Sequence, residues 1–150
     1  HLYGLNVALD MILKEGIEAV WRRHEVLASA IWAAIESWEK GGELKANIQD
    51  KKLRSAAVTS LHVQTPKGTH IRKWLQANTG LTIGIGLGMA TPNDPNGDGY
   101  FRLGHMGHVN AQMIMALIAT LETAMIAVGV PHGNNAINKA ASIIAKFSKP

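Results

Sequence analysis

Between Val109 and Val130 the chain runs for 22 residues with a single charged side chain, Glu122. A stretch this apolar has two homes. One is a lipid bilayer, which takes about 20 apolar residues to cross. The other is the interior of a layered protein, where a helix is covered on most of its sides. Asn110, Gln112, Thr120 and Thr123 interrupt the run, and no Lys or Arg flanks it closely, as membrane spans favour. It is therefore read as a buried helix from Val109 to about Val128, ended by Gly129-Val130-Pro131. Such a helix needs layers to cover it. A chain of 150 residues that is 47% hydrophobic and 17% charged is long and apolar enough for one domain with a true core.

The rest of the chain supplies those layers. Leu5, Ala8, Leu9, Ile12 and Leu13 recur at helical spacing and stop at Gly16. Ile17, Val20, Trp21, His24, Leu27, Ile31, Ile35 and Trp38 form a second, longer stripe that stops at Gly41-Gly42. On its other face Glu18 precedes Arg22 by four residues, the spacing of a helical ion pair. Ser55–Val63 reads as a strand after the polar run Gln49–Arg54. Pro66-Lys67-Gly68 is a turn, with Thr69 capping a helix that carries Ile71, Trp74 and Leu75. Leu81, Ile83, Ile85, Leu87 and Met89 alternate with Thr82, Gly84, Gly86 and Gly88, a strand with one bare face. Glycine weakens a strand, so that face implies close approach by another backbone or a ligand. Ala90–Gly99 is a loop and Tyr100–Leu103 a short strand. A terminal helix is expected from about Asn135 to Phe147. Few strands mixed among helices predict an α+β fold, with a small, largely antiparallel sheet covered by helices.

Composition removes several chemistries. The chain has no cysteine, which excludes disulfide scaffolds, zinc–thiolate and iron–sulfur sites and a cysteine nucleophile. Lys and Arg exceed Asp and Glu by 15 to 11, for a net charge of +4. The only basic cluster, Lys51-Lys52-Leu53-Arg54, sits in a polar connection and reads as a solvated loop, without an aromatic stacking platform. Asp94-Pro-Asn96-Gly-Asp98-Gly99 resembles the front of a calcium loop. Arg102 and His105, however, fall where its later ligands belong, so it reads as a solvated turn. Gly84, Gly86 and Gly88 miss the dinucleotide spacing, and no helix follows them. His105 and His108 are separated by Gly107 and have no carboxylate nearby, so no metal site is assigned.

Arg102 is the residue that pattern alone leaves open. It shares a strand face with Tyr100, opposite Phe101 and Leu103. Held there, its planar fork either grips a ligand carboxylate through two parallel hydrogen bonds or pairs with an Asp or Glu of the protein.

Leu2–Leu27 (LYGLNVALDMILKEGIEAVWRRHEVL) and Tyr100–Asn110 (YFRLGHMGHVN) resemble class V pyridoxal-phosphate aminotransferases. The nearest branch is the alanine–glyoxylate, serine–glyoxylate and serine–pyruvate group. The resemblance keeps its order along nearly the whole chain, to about Val130. It centres on the motif apolar–Arg–Leu/Ile–Gly–x–x–Gly, here Phe101–Gly107. Pyridoxamine–pyruvate aminotransferases are similar over the same motif. His105, Met106 and His108 vary within the branch, and the tail from Pro131 onward has no counterpart in the resemblance.

The resemblance implies a dimeric, cytoplasmic enzyme of fold type I, more than twice this length. Residues 1–16 would be the helix linking to a large domain, and 17–150 the C-terminal small domain. The large domain would hold pyridoxal 5'-phosphate, its Schiff-base lysine and the aspartate that pairs with the ring nitrogen. None of the ten lysines here has the serine-rich context of that lysine, so no catalytic residue is assigned to this chain. In the family the motif arginine, matching Arg102, binds the substrate α-carboxylate, with Gly86, Leu87 and Gly88 lining the same pocket. The implied reaction moves an amino group between a small amino acid, alanine or serine, and a 2-oxo acid, glyoxylate or pyruvate. The fragment alone would be inactive, with neither nucleic acid nor membrane as partner. Two rivals remain: a stand-alone basic α+β module that binds RNA or protein, suggested by the net charge, and an interaction domain whose helix Val109–Val130 docks a partner. The chain begins at His1 without a leader pattern, as expected of a fragment or a processed product. Ser148-Lys149-Pro150 approaches a peroxisomal tail, but its final proline spoils the match.

Overall fold

A computed structural model describes residues 1–147; the tail Ser148–Pro150 lies outside the described residues. Helix α1 spans Leu2–Glu15, and α2 spans Ile17–Glu39. The short strand β1, Lys45–Ala46, and a 3-10 turn at Lys51–Leu53 precede β2, Val58–His62. Then come α3, Lys67–Thr79; β3, Gly84–Ile85; β4, Tyr100–Gly104; α4, Ala111–Val128; and α5, Ala136–Ile144. The sheet order is β1-β2-β4-β3, and all three pairings are antiparallel. This is the α+β arrangement expected from the sequence.

The alternation along β2 and β4 sets the layers. Thr59, Leu61, Phe101 and Leu103 are buried on one face, while Ser60, His62, Tyr100 and Arg102 are half-exposed on the other. Helices cover the buried face. Its core includes Ile31, Ile35 and Trp38 of α2, Ile71 and Leu75 of α3, and Ile118, Leu121 and Met125 of α4. Helix α5 lies along α2, and α4 packs against α3, α5 and α2. Burying a single large aliphatic or aromatic side chain is worth roughly 1.5–3 kcal/mol, so this interior is what holds the sheet in place.

Several boundaries differ from expectation for physical reasons. Helix α3 begins two residues before Thr69, whose N–H and hydroxyl instead bond to Asp98 of the following loop. Helix α4 begins after Asn110, whose side-chain oxygen accepts from Met113 N at 2.9 Å and caps the helix. It is buried on one face only: Ile114, Ile118, Leu121, Ala124 and Met125 point inward, while Met113 and Ile126 are exposed. By length and composition alone α4 is long and apolar enough to cross a membrane. Its lone charge, Glu122, faces His132 at 4.0 Å. Helix α1 has the expected stripe but no buried residue. Strand β1 was not anticipated, because two residues carry no readable period. The strand expected over Leu81–Met89 shortens to Gly84–Ile85, since the chain turns away at Leu87, whose N–H returns to Ile85 O at 2.9 Å.

Candidate functional site

Arg102 stands in the middle of the half-exposed sheet face, opposite Ser60 of β2 and Gly84 of β3. Its Nε donates to Ile85 O at 2.8 Å, which swings the side chain over the β3 edge. Among the described residues Arg102 has no ion pair, so the protein-carboxylate reading of this arginine is not realised. Neither terminal nitrogen has a hydrogen-bond partner among the described residues. Along the same face Tyr100 packs against His62, with ring centroids 5.6 Å apart. Burial of His62 lowers its pKa below the ordinary imidazole value. Ser60 donates its hydroxyl to Met89 Sδ at 3.2 Å, folding the end of the glycine segment back over β2.

The bare positions of that segment now have separate causes. A Cβ on Gly84 would lie 3.3 Å from Arg102 Cβ and 3.4 Å from its Nε, so this glycine gives the arginine its path. A Cβ on Gly86 would collide with Tyr100 Cβ. Gly88 has open space around it but a φ of +74°, which glycine adopts without penalty. The structure thus brings Gly84 and Ile85 directly to Arg102 and leaves Leu87, 67% exposed, on the adjoining turn.

Other candidates are absorbed into the fold. His105 is fully buried. Its Nδ1 lies 3.1 Å from Ala56 O and must donate, since a carbonyl only accepts. Its Nε2, 2.8 Å from Thr59 Oγ1, is then the acceptor, and that hydroxyl in turn accepts from Trp32 Nε1 at 3.0 Å. Burial holds this imidazole's pKa below its ordinary value, opposed by the Ala56 bond. His108 is exposed and shares nothing with it. Among the described residues no cluster of acidic, His or Cys side chains is arranged to hold a metal.

The loop read as a solvated turn is instead built around Asp94, which is 7% exposed. Its carboxylate accepts from Gly99 N at 2.8 Å, Asp98 N at 2.9 Å and the Thr65 hydroxyl at 3.1 Å. These bonds, the Gly99 one foremost, hold its pKa below the usual range. In the basic cluster Lys51, Lys52 and Leu53 are exposed, as a solvated loop requires, and only Arg54 is largely covered. Lys51 pairs with Glu36 at 2.6 Å, and Arg54 donates to Ile48 O at 2.9 Å with its guanidinium 5.8 Å from the Trp32 ring. The expected Glu18–Arg22 pair is not formed among the described residues. Its neighbour Arg23, which the sequence reading did not single out, pairs with Glu15 across the α1–α2 junction.

A pyridoxal cofactor needs a lysine sheltered from water. Every lysine among the described residues keeps contact with solvent. Lys45, Lys51 and Lys67 are engaged with Glu39, Glu36 and Glu43. Among the described residues no lysine is sheltered in that way.

Comparison with known proteins bears on this arrangement. No family model matches the chain. The serine–glyoxylate aminotransferase of Arabidopsis thaliana is 35% identical over 133 residues, 87% of this chain and 30% of that protein. The crystal structure of ureidoglycine–glyoxylate aminotransferase from Bacillus subtilis superposes with a TM-score of 0.79 at 22% identity, over 97% of this chain and 35% of the other. That of pyridoxamine–pyruvate aminotransferase from Mesorhizobium loti gives a TM-score of 0.78 at 27% identity, over 95% and 34%. The fold is therefore that of a segment of an aminotransferase. Within that class the chain is a homologue of the glyoxylate aminotransferases of class V, and it spans about a third of the length of the relatives it matches.

Proposed function

We propose that this chain is the C-terminal small domain of a pyridoxal-phosphate-dependent aminotransferase, with Arg102 gripping the substrate carboxylate. The observation that carries this reading is the guanidinium on the half-exposed sheet face. It is fixed through Nε to Ile85 O, with no acidic partner among the described residues. An arginine anchored by one nitrogen keeps two parallel donors aimed away from the protein, the geometry that matches a carboxylate. Lysine offers a point charge instead of that fork. Gly86, Leu87 and Gly88 follow Ile85 along the chain and would line the same pocket.

The reaction moves an amino group between a small amino acid, alanine or serine, and a 2-oxo acid, glyoxylate or pyruvate. Both partners carry a carboxylate beside the reacting carbon, so one fixed arginine serves both directions. Its task is to hold that carbon in one orientation, which converts part of the barrier into binding energy. When bound, the cofactor would supply an electron sink for the chemistry at that carbon. It would be held by a large domain joined through residues 1–16, in a homodimer, and the 150-residue chain alone would be inactive.

The test is Arg102→Lys in the polypeptide that carries the large domain. Activity toward amino acids and 2-oxo acids falls about 100-fold in kcat/KM, about 3 kcal/mol, while the visible absorption of the bound cofactor stays as in the parent. Parent-like kinetics would remove Arg102 from the site. A visible protein-linked band formed by the isolated 150 residues with the cofactor would overturn its assignment as a domain that holds none.

A further inference from the structure

Helix α1 leaves the body of the protein with none of its residues buried. It breaks from α2 at Gly16, whose φ is +86° and ψ 131°. Glycine takes that conformation without cost, so the backbone there does little to set the angle between the helices. Side chains across the junction do more. Arg23 donates Nε to Glu15 Oε1 at 2.6 Å and Nη2 to Glu15 Oε2 at 2.8 Å, a two-pronged pair that closes over Gly16. Its remaining nitrogen, Nη1, donates to Gly107 O at 3.0 Å and to Val109 O at 2.8 Å. His24 Nε2 donates to the same Gly107 carbonyl at 3.0 Å.

Gly107 and Val109 lie on the segment that leaves β4, the strand of Arg102, and enters α4. All three nitrogens of Arg23 are thus committed, and they join the end of α1, the second turn of α2 and the exit of β4. We infer that Arg23 is a positioning residue that fixes the direction of α1 relative to the exit of β4, and so to Arg102. The tie itself is independent of what Arg102 binds; only the purpose of placing Arg102 rests on the reading above. Any structure joined to the N-terminal side of α1 then meets Arg102 along a line that Arg23 sets. A lysine cannot replace it, because a compact ammonium cannot bridge a carboxylate and two carbonyls in one plane.

The chain contains no cysteine, so Tyr3→Cys on α1 and Lys73→Cys on α3, both at exposed positions, carry spin labels at unique sites. Pulsed electron spin resonance on the 150-residue chain then reads the α1 direction as a distance distribution, narrow in the parent. Arg23→Gln at least doubles its width, and Arg23→Lys does not restore it. Glu15→Gln, which leaves both carbonyl contacts in place, broadens it by less. A parent-like width in both Arg23→Gln and Glu15→Gln, even with a lowered Tm, would show that Arg23 only adds stability and overturn the inference. If Arg23→Gln does not fold, Glu15→Gln decides alone. Arg102→Lys leaves the distribution unchanged. Parent-like kinetics in that variant beside a broadened Arg23→Gln distribution would therefore keep the tie and remove the carboxylate reading.

Discussion

Along β4 successive residues serve different ends. Phe101 and Leu103 are 0% and 2% exposed and fill the interior under α2, α3 and α4. Tyr100 and Arg102, one residue away in each case, stay half-exposed on the opposite face. The polar groups divide the same way. On the buried face Thr59, His105 and Trp32 form a closed hydrogen-bond chain in which each group has a partner. On the other face Arg102 spends one nitrogen on the protein and keeps two. The contrast is that a satisfied polar chain builds stability, while a half-used, well-anchored cation leaves donors open to a ligand, the role proposed above for Arg102.

The sharpest way to break that contrast is on the buried face. Phe101→Ala removes a fully enclosed ring and is expected to cost about 3–5 kcal/mol, read as a fall in the urea midpoint at unchanged slope. A cost below about 1 kcal/mol would mean that the interior face is not the one holding the sheet.

Acidification gives a smaller, directional contrast between two histidines. Burial holds both His105 and His62 below the ordinary value of about 6.5, His105 on the enclosed side and His62 on the half-exposed one. Above pH 6.5 both are neutral in either state, and their full contribution to stability is present. As pH falls through 6.5 the unfolded chain takes up protons first, so stability declines until the folded values are reached. Urea midpoints measured from pH 8 to pH 5 should therefore fall. His105→Asn should flatten that slope more than His62→Asn, because His105 must also keep its Nε2 unprotonated to accept from Thr59. Equal slopes in both variants would erase the distinction between the faces at these positions.

How much of this was legible beforehand follows from what each feature leaves in the sequence. The helices were readable because their apolar stripes extend over many turns, and the glycines at 16 and 129 mark their ends. Strand β1 was not, because its pairing depends on β2 and not on any pattern in Lys45 and Ala46. The alternation from Leu81 to Met89 suggested a long strand, yet only Gly84 and Ile85 pair, since Gly86 and Gly88 serve a close approach and a turn. Arg102 stood out through the motif around it. Arg23 did not, because two of its acceptors are backbone carbonyls of Gly107 and Val109, which leave no side-chain signature, and Glu15 lies beyond a helix break. The Asp94 loop reads as a solvated turn, because it has the first residue types of a calcium loop but Arg102 and His105 where the later ligands belong. Only the structure shows the Asp94 oxygens turned inward onto Thr65, Asp98 and Gly99.

The smallest expected effect tests the contrast most directly. Arg102→Gln in the 150-residue chain removes one hydrogen bond, to Ile85 O, and no ion pair among the described residues. Surface changes away from caps, cores and paired charges typically stay within about 0.5 kcal/mol, and that is the bound expected for the shift in stability. A structural arginine behaves otherwise: losing a buried or fully bonded charged group leaves its partners unpaired, at about 1.5–3 kcal/mol for each strong bond. If Arg102→Gln lowers the urea midpoint by the equivalent of 2 kcal/mol or more, the guanidinium belongs to the fold. In that case its two remaining nitrogens hold the protein together and do not wait for a carboxylate. A near-zero shift, with the kinetic loss expected of Arg102→Lys in the longer polypeptide, would separate the two faces of β4 into one that builds the domain and one that binds.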